Sequence, residues 1–171
     1  RIEVPETIKK LAKAISSKNP NLDEIYGLLK SGRQLILFGP PGTSKTFYAK
    51  MVGEQFFKDT TTFIQFHQSY GYEEFIGGIR PKNGVFQPVR GLLTILASKA
   101  ASEKQKEFLL IIDEINRGNI SKIMGEAIVC LDRDFPPVKL SFDPSINLKL
   151  ILNLYIIGTM NSTDRQTAFL G

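Results

Sequence analysis

Cysteine and histidine are nearly absent from the 171 residues, with one of each, Cys130 and His67. A single cysteine excludes an internal disulfide, and without a Cys/His cluster there is no structural zinc site, so a reducing compartment, the cytoplasm, fits best. A histidine-based metal site would have to draw its other ligands from carboxylates. Long apolar runs are missing too: Leu35 to Phe38, Phe108 to Ile112 and Leu148 to Met160, broken by Lys149 and Asn153, fall short of the ~18 residues of a membrane span. No block of five or six like charges, internal repeat or low-complexity segment is found. What remains is 42% apolar and 23% charged, the composition of one compact domain burying roughly two thirds of its unfolded surface. The net charge of +5 favours phosphate-bearing partners without naming one. The start at Arg1 without methionine and the stop at Gly171 suggest a piece of a longer polypeptide.

Helical spacing runs over Pro5 to Ser17 and Leu22 to Leu29, punctuated by Pro20 and Gly32. Leu35 to Phe38 is apolar without alternation, which predicts a strand covered on both faces. The same grammar returns at Phe108 to Ile112 and Leu154 to Ile157, with helices expected at Lys45 to Phe57, Leu92 to Ser102 and Ile120 to Leu131. Strands alternating with helices imply an α/β sandwich with a mainly parallel sheet. Asn83-Gly84 inside Ile79 to Val89 signals an inserted β-hairpin, which Pro81 and Pro88 confine to an edge or an excursion. Asp132 to Asn147, rich in Pro and Asp, reads as a loop holding one short strand, Val138 to Phe142.

Polar residues suited to a phosphate and its metal follow each of the three buried strands. Open α/β sheets bind ligands at that end. After Phe38 come Gly39, Pro40, Pro41, Gly42, Thr43, Ser44, Lys45 and Thr46, with Phe47 next along the expected helix. A phosphate cradle needs small residues so that backbone N–H groups converge, a helix N-terminus, a lysine for the outer phosphates and a hydroxyl for magnesium. All four occur in order. Ser44 stands where the motif has its second glycine. Helical backbone angles there would make serine harmless, whereas a positive φ or close phosphate approach would cost affinity; tolerance is the expectation, since Gly42, Lys45 and Thr46 are intact.

The second strand runs into Asp113, suited to the metal or its water, and Glu114, suited to polarising the attacking water. The third ends at Asn161, whose carboxamide could hydrogen-bond a γ-phosphate or the water. His67, Tyr70, Tyr72 and Phe75 read as local structure, and Cys130 as a packed thiol.

Gly39 to Thr46, Leu110 to Arg117 and Ile157 to Asn161 together resemble an AAA+ nucleotide-hydrolysing domain of the McrB type. Phe66 to Ile76 and Gly78 to Pro81 look like the segment that sets McrB relatives apart from other AAA+ branches. The resemblance spans about residues 35–170. It implies a P-loop NTPase core at 34–171, preceded by an N-terminal helical segment at 1–33 and truncated before the arginine pair and helical lid. By matched position, Lys45 would bind the β/γ-phosphates, Thr46 and Asp113 the Mg2+, Glu114 would be the base and Asn161 the sensor. Asp164 joins them through the family's Met-Asn-x-x-Asp signature. The resemblance further implies a homo-oligomeric, hexameric ring, a separate nuclease subunit, DNA gripped by the full assembly, and GTP ahead of ATP as substrate. Its rivals are an ATP-dependent remodelling module acting on protein and a hydrolysis-impaired nucleotide switch. A neighbour's arginine can be worth about a thousandfold in turnover. Weak binding and slow hydrolysis are therefore expected of residues 1–171 alone.

Overall fold

The computed structural model describes residues 13–15 and 21–162. Five parallel strands form the central sheet, in the order β1 (Lys13–Ile15), β2 (Gln34–Gly39), β9 (Leu154–Asn161), β6 (Phe108–Asp113) and β3 (Thr61–Gln65). Their side chains divide with the period of two that a pleated strand imposes. Phe108, Leu110 and Ile112 of β6 and Leu154 and Ile156 of β9 enter one buried cluster; Leu109, Ile111, Tyr155 and Ile157 enter another on the opposite face. This double burial is why these strands are written as unbroken apolar runs.

Helix α1 (Leu22–Gly32) and helix α2 (Lys45–Val52) cover the second cluster, α1 through Ile25 and Leu29 and α2 through Ala49 and Val52. Asn21 caps α1 by accepting the Asp23 amide at 3.1 Å. The short α3 (Tyr72–Phe75), α4 (Leu92–Ser102) and α5 (Ile120–Met124) supply Phe75, Leu93, Leu96 and Ile123 to the first cluster. The result is the expected three-layer α/β sandwich.

Between α3 and α4, β4 (Gly77–Lys82) and β5 (Val85–Arg90) form the expected antiparallel hairpin. Its turn residues Asn83 and Gly84 have φ of 54° and 78°, the doubly left-handed turn that Asn-Gly favours. Ile79 and Phe86 are exposed, Phe86 at 73%.

Four local expectations are corrected. Lys13–Ile15 is strand, not helix, pairing Lys13, Ala14 and Ile15 with Leu35, Ile36 and Leu37; the open backbone edge of β2 outweighs a helical side-chain pattern there. The rest of 5–17 lies outside the described residues, apart from this strand. The Lys45 to Phe57 helix is α-helical only to Val52 and continues as a π turn, Gly53–Phe57. Ile120 to Leu131 likewise breaks at Gly125, whose φ of 49° ends α5 and starts a 3₁₀ segment, Gly125–Leu131. The 132–147 loop holds two strands rather than one, β7 (Val138–Leu140) paired with β8 (Asp143–Leu148).

Candidate active site

The register aligns the carboxyl ends of the strands: Gly39 of β2 pairs with Asn161 of β9, and Gln65 of β3 with Asp113 of β6. The period of two continues past the apolar core. Asp113 follows Leu109 and Ile111, and Thr159 and Asn161 follow Tyr155 and Ile157, so all three face α2.

Between β2 and α2 the loop residues Pro40 to Ser44 are exposed. Gly42 has φ of 77°. Lys45 folds back on this loop, its Nζ donating to the carbonyls of Gly39 at 3.0 Å and Pro40 at 2.7 Å and to Thr43 Oγ1 at 3.2 Å. The ammonium thus closes the cradle on itself, and a phosphate would compete for the same protons. The first turn of α2 adds the free N–H groups of a helix N-terminus. Phe47, in the same turn, is 59% exposed, with its ring edge-on to Tyr48.

Ser44 caps α2 with φ 56° and ψ 23°. This is the left-handed region, so the harmless alternative, a helical backbone at this position, is not the one realised. Serine keeps the loop shape that a glycine would adopt without strain.

At the strand ends a hydrogen-bonded set surrounds Asp113, which is only 7% exposed. Its Oδ1 accepts from Thr46 Oγ1 at 2.5 Å and from Thr159 Oγ1 at 2.6 Å. Thr159 Oγ1 in turn accepts the Glu114 amide at 3.1 Å. Glu114 leaves β6 in the left-handed region, φ 53° and ψ 45°. Its carboxylate is held from both sides, by Asn161 Nδ2 on Oε1 at 2.8 Å and by Arg117 Nε on Oε2 at 3.1 Å. The structure thus joins Thr46, Asp113, Glu114 and Asn161 in one hydrogen-bonded set, with Lys45 next to Thr46 in the chain and turned to the loop. Asp164 lies outside the described residues.

Sequence reasoning does not single out Thr159, and it offers Arg117 as a contact to a neighbouring subunit rather than as a clamp on Glu114. Their signals are slight: a polar residue within an apolar strand, and a basic residue three positions after the carboxylate. His67 turns to local partners, with Nδ1 3.3 Å from Ser69 Oγ and its ring edge-on to Tyr70. Cys130 is buried with Sγ 3.6 Å from the Leu148 carbonyl, as expected of a packed thiol.

Thr46 and Asp113 offer one hydroxyl and one carboxylate, hard oxygen donors. No group of three or more His, Cys, Asp or Glu able to hold a metal occurs among the described residues. Such a pair suits a magnesium ion that completes its shell with waters and phosphate oxygens, not an all-protein cage. Nor is any helix among the described residues long and apolar enough to cross a membrane.

Residues 34–170 match the sequence family described as AAA domain (dynein-related subfamily). The chain is similar to the "Type IV methyl-directed restriction enzyme EcoKMcrB subunit" of Escherichia coli K12, with 35% identity over 86% of this chain and 34% of that protein. It is also similar to the "Type II restriction enzyme BsuMI component YdiS" of Bacillus subtilis 168, at 26% identity over 96% of this chain and 61% of that one. The chain therefore spans about a third and about three fifths of the lengths of these two relatives. Among solved structures, one assigned as an ATPase from Cytophaga hutchinsonii shares the fold with a TM-score of 0.53 and 16% identity, over 95% of this chain and 44% of that one.

Proposed function

Because the chain belongs to the AAA family, in its dynein-related subfamily, we propose that it is the nucleotide-hydrolysing module of a DNA restriction complex. The observation that carries this reading is the hydrogen-bonded set of Thr46, Asp113, Glu114 and Asn161 beside the Lys45 loop. Similarity to two restriction-system components points to the setting. The substrate is GTP or ATP, with GTP placed first, and the working form is a homo-oligomeric, hexameric ring in the cytoplasm. A separate nuclease subunit cuts the DNA that the assembly moves. Residues 34–171 are the catalytic core and 1–33 the N-terminal segment.

In this reading Lys45 leaves the loop carbonyls to bind the outer phosphates, and the α2 N-terminus receives their negative charge. Thr46 and Asp113 would hold Mg2+, which when bound would supply neutralisation of the phosphate charge. Glu114 accepts a proton from the attacking water as its oxygen bonds to the γ-phosphorus and the bond to the β-phosphate oxygen breaks. Asn161 orients that water or the γ-phosphate. Asn161 and Arg117 each occupy one lone pair of the Glu114 carboxylate, one per oxygen, so each oxygen keeps a lone pair for the proton.

The test is calorimetry of GTP and ATP with Mg2+ on the full-length protein, alongside turnover. Lys45→Ala should abolish binding. Glu114→Gln should keep binding and lose at least a hundredfold in turnover. GTP preference supports the restriction reading, ATP preference favours a remodelling module acting on protein, and binding of neither refutes the site. The left-handed Ser44 motivates one rival, a nucleotide switch with impaired hydrolysis, in which Glu114→Gln would change nothing.

A further inference from the structure

We infer that Thr159 is a positioning residue for hydrolysis, its side chain fixing both carboxylates through a single hydroxyl. The inference rests on the nucleotide-hydrolysis reading above. A hydroxyl has one proton to give and lone pairs to receive. Here the proton goes to Asp113 Oδ1 at 2.6 Å, and a lone pair receives the Glu114 amide at 3.1 Å. Thr159 is 2% exposed, so water cannot easily replace either bond.

Each bond has a separate consequence. On Asp113, the Thr159 and Thr46 hydroxyls converge on the same oxygen, which sets the rotation of the carboxylate relative to the phosphate loop. Oδ2 thereby keeps its lone pairs for a further ligand. On Glu114, the bond anchors the amide of a residue with φ 53°, a conformation that non-glycine side chains rarely adopt and that surrounding structure must hold. With that amide released, the turn can relax and carry the Glu114 carboxylate off line. Misplacement of a reacting group by about 1 Å can cost a hundredfold in rate. Thr159 also lies two residues before Asn161 on the same face of β9, so the strand that presents the sensor sets the base as well.

Thr159→Val keeps the shape and removes both bonds; Thr159→Ser keeps the hydroxyl. In the full-length protein, well below the unfolding midpoint of every variant, Thr159→Val should lower kcat at least tenfold and change KM for nucleotide less than threefold. The Mg2+ concentration giving half-maximal turnover should rise. Thr159→Ser should return kcat to within threefold of wild type. If Thr159→Val does not fold, Thr159→Ala carries the same test. A variant without the hydroxyl that is less stable but turns over normally per folded molecule overturns the inference, as does failure of serine to rescue. Lys45→Ala and Glu114→Gln run in parallel: if they abolish turnover while Thr159→Val does not, only the role of Thr159 fails. If neither affects turnover, the hydrolysis reading fails and takes this inference with it.

Discussion

Ser44 presents a serine side chain in a backbone conformation suited to glycine, at φ 56° in the loop between β2 and α2. The left-handed region costs a non-glycine residue on the order of 1 kcal/mol. Ser44→Gly should remove that cost and raise the thermal midpoint by about 2–4 °C; because the loop holds this conformation without ligand, nucleotide affinity should change less than about twofold. A melt and titration calorimetry of the two proteins decide it, and a clearly weaker affinity would show that Ser44 contributes something glycine lacks. Lys45, Thr46, Asp113 and Glu114 are legible in the sequence as candidates because a phosphate-loop pattern depends on residue type and spacing. Ser44 is left open because the same letters fit a helical or a left-handed backbone. Thr159 stayed hidden for a different reason: threonine is a good strand former, so its presence in β9 already had an explanation.

Elements were legible where burial dictated them. β6, buried throughout, and β9, buried from Leu154 to Thr159, are legible as apolar runs, and α4 as a helical stretch with the bounds Leu92 and Ser102. Elements were misread where one backbone position overrode the pattern, as at Gly125, or where a neighbouring edge captured a segment, as at Lys13–Ile15. Gly91 shows how strict one position can be. It caps α4, its amide donates to the Ile76 carbonyl at 2.9 Å, and a Cβ there would lie 2.6 Å from the carbonyl carbon of Phe75 and 2.7 Å from Ile76 backbone atoms. No side chain can rotate away from such a clash, because the obstacle is main chain. Gly91→Ala should destabilise by about 2 kcal/mol or more, lowering the melting midpoint by roughly 4–8 °C. Differential scanning calorimetry measures this directly, and an unchanged midpoint would mean that the α3–α4 junction yields freely.

Across the whole molecule, two half-buried carboxylates tie distant elements together. Glu126 Oε1 accepts from Tyr72 Oη at 2.7 Å and from the Ser141 amide at 2.6 Å, joining α3 and the β7–β8 hairpin to the segment after α5. Glu107 pairs with Lys30 and accepts from Tyr155 Oη at 2.9 Å, joining α1 to the sheet. Burial alone would raise both carboxyls, but these donors outweigh it and hold each below its ordinary 4.5. Stability from a depressed carboxyl is fully present above the ordinary value and lost as pH falls through the lower, folded one. Urea midpoints should therefore be level from pH 7 towards 5 and fall below about 4.5. Glu126→Gln should start lower and fall less steeply; an unchanged slope would show that other groups set the acid limit.

The seclusion of Cys130 gives the chain a chemical stopwatch. Burial raises the thiol's pKa and keeps reagents from its sulfur. Alkylation must wait until the surrounding core opens, and with one cysteine in the sequence no second thiol contributes to the signal. The rate at which a labelling reagent is consumed then counts openings of the layer beneath β8, in unmodified protein and with no introduced probe.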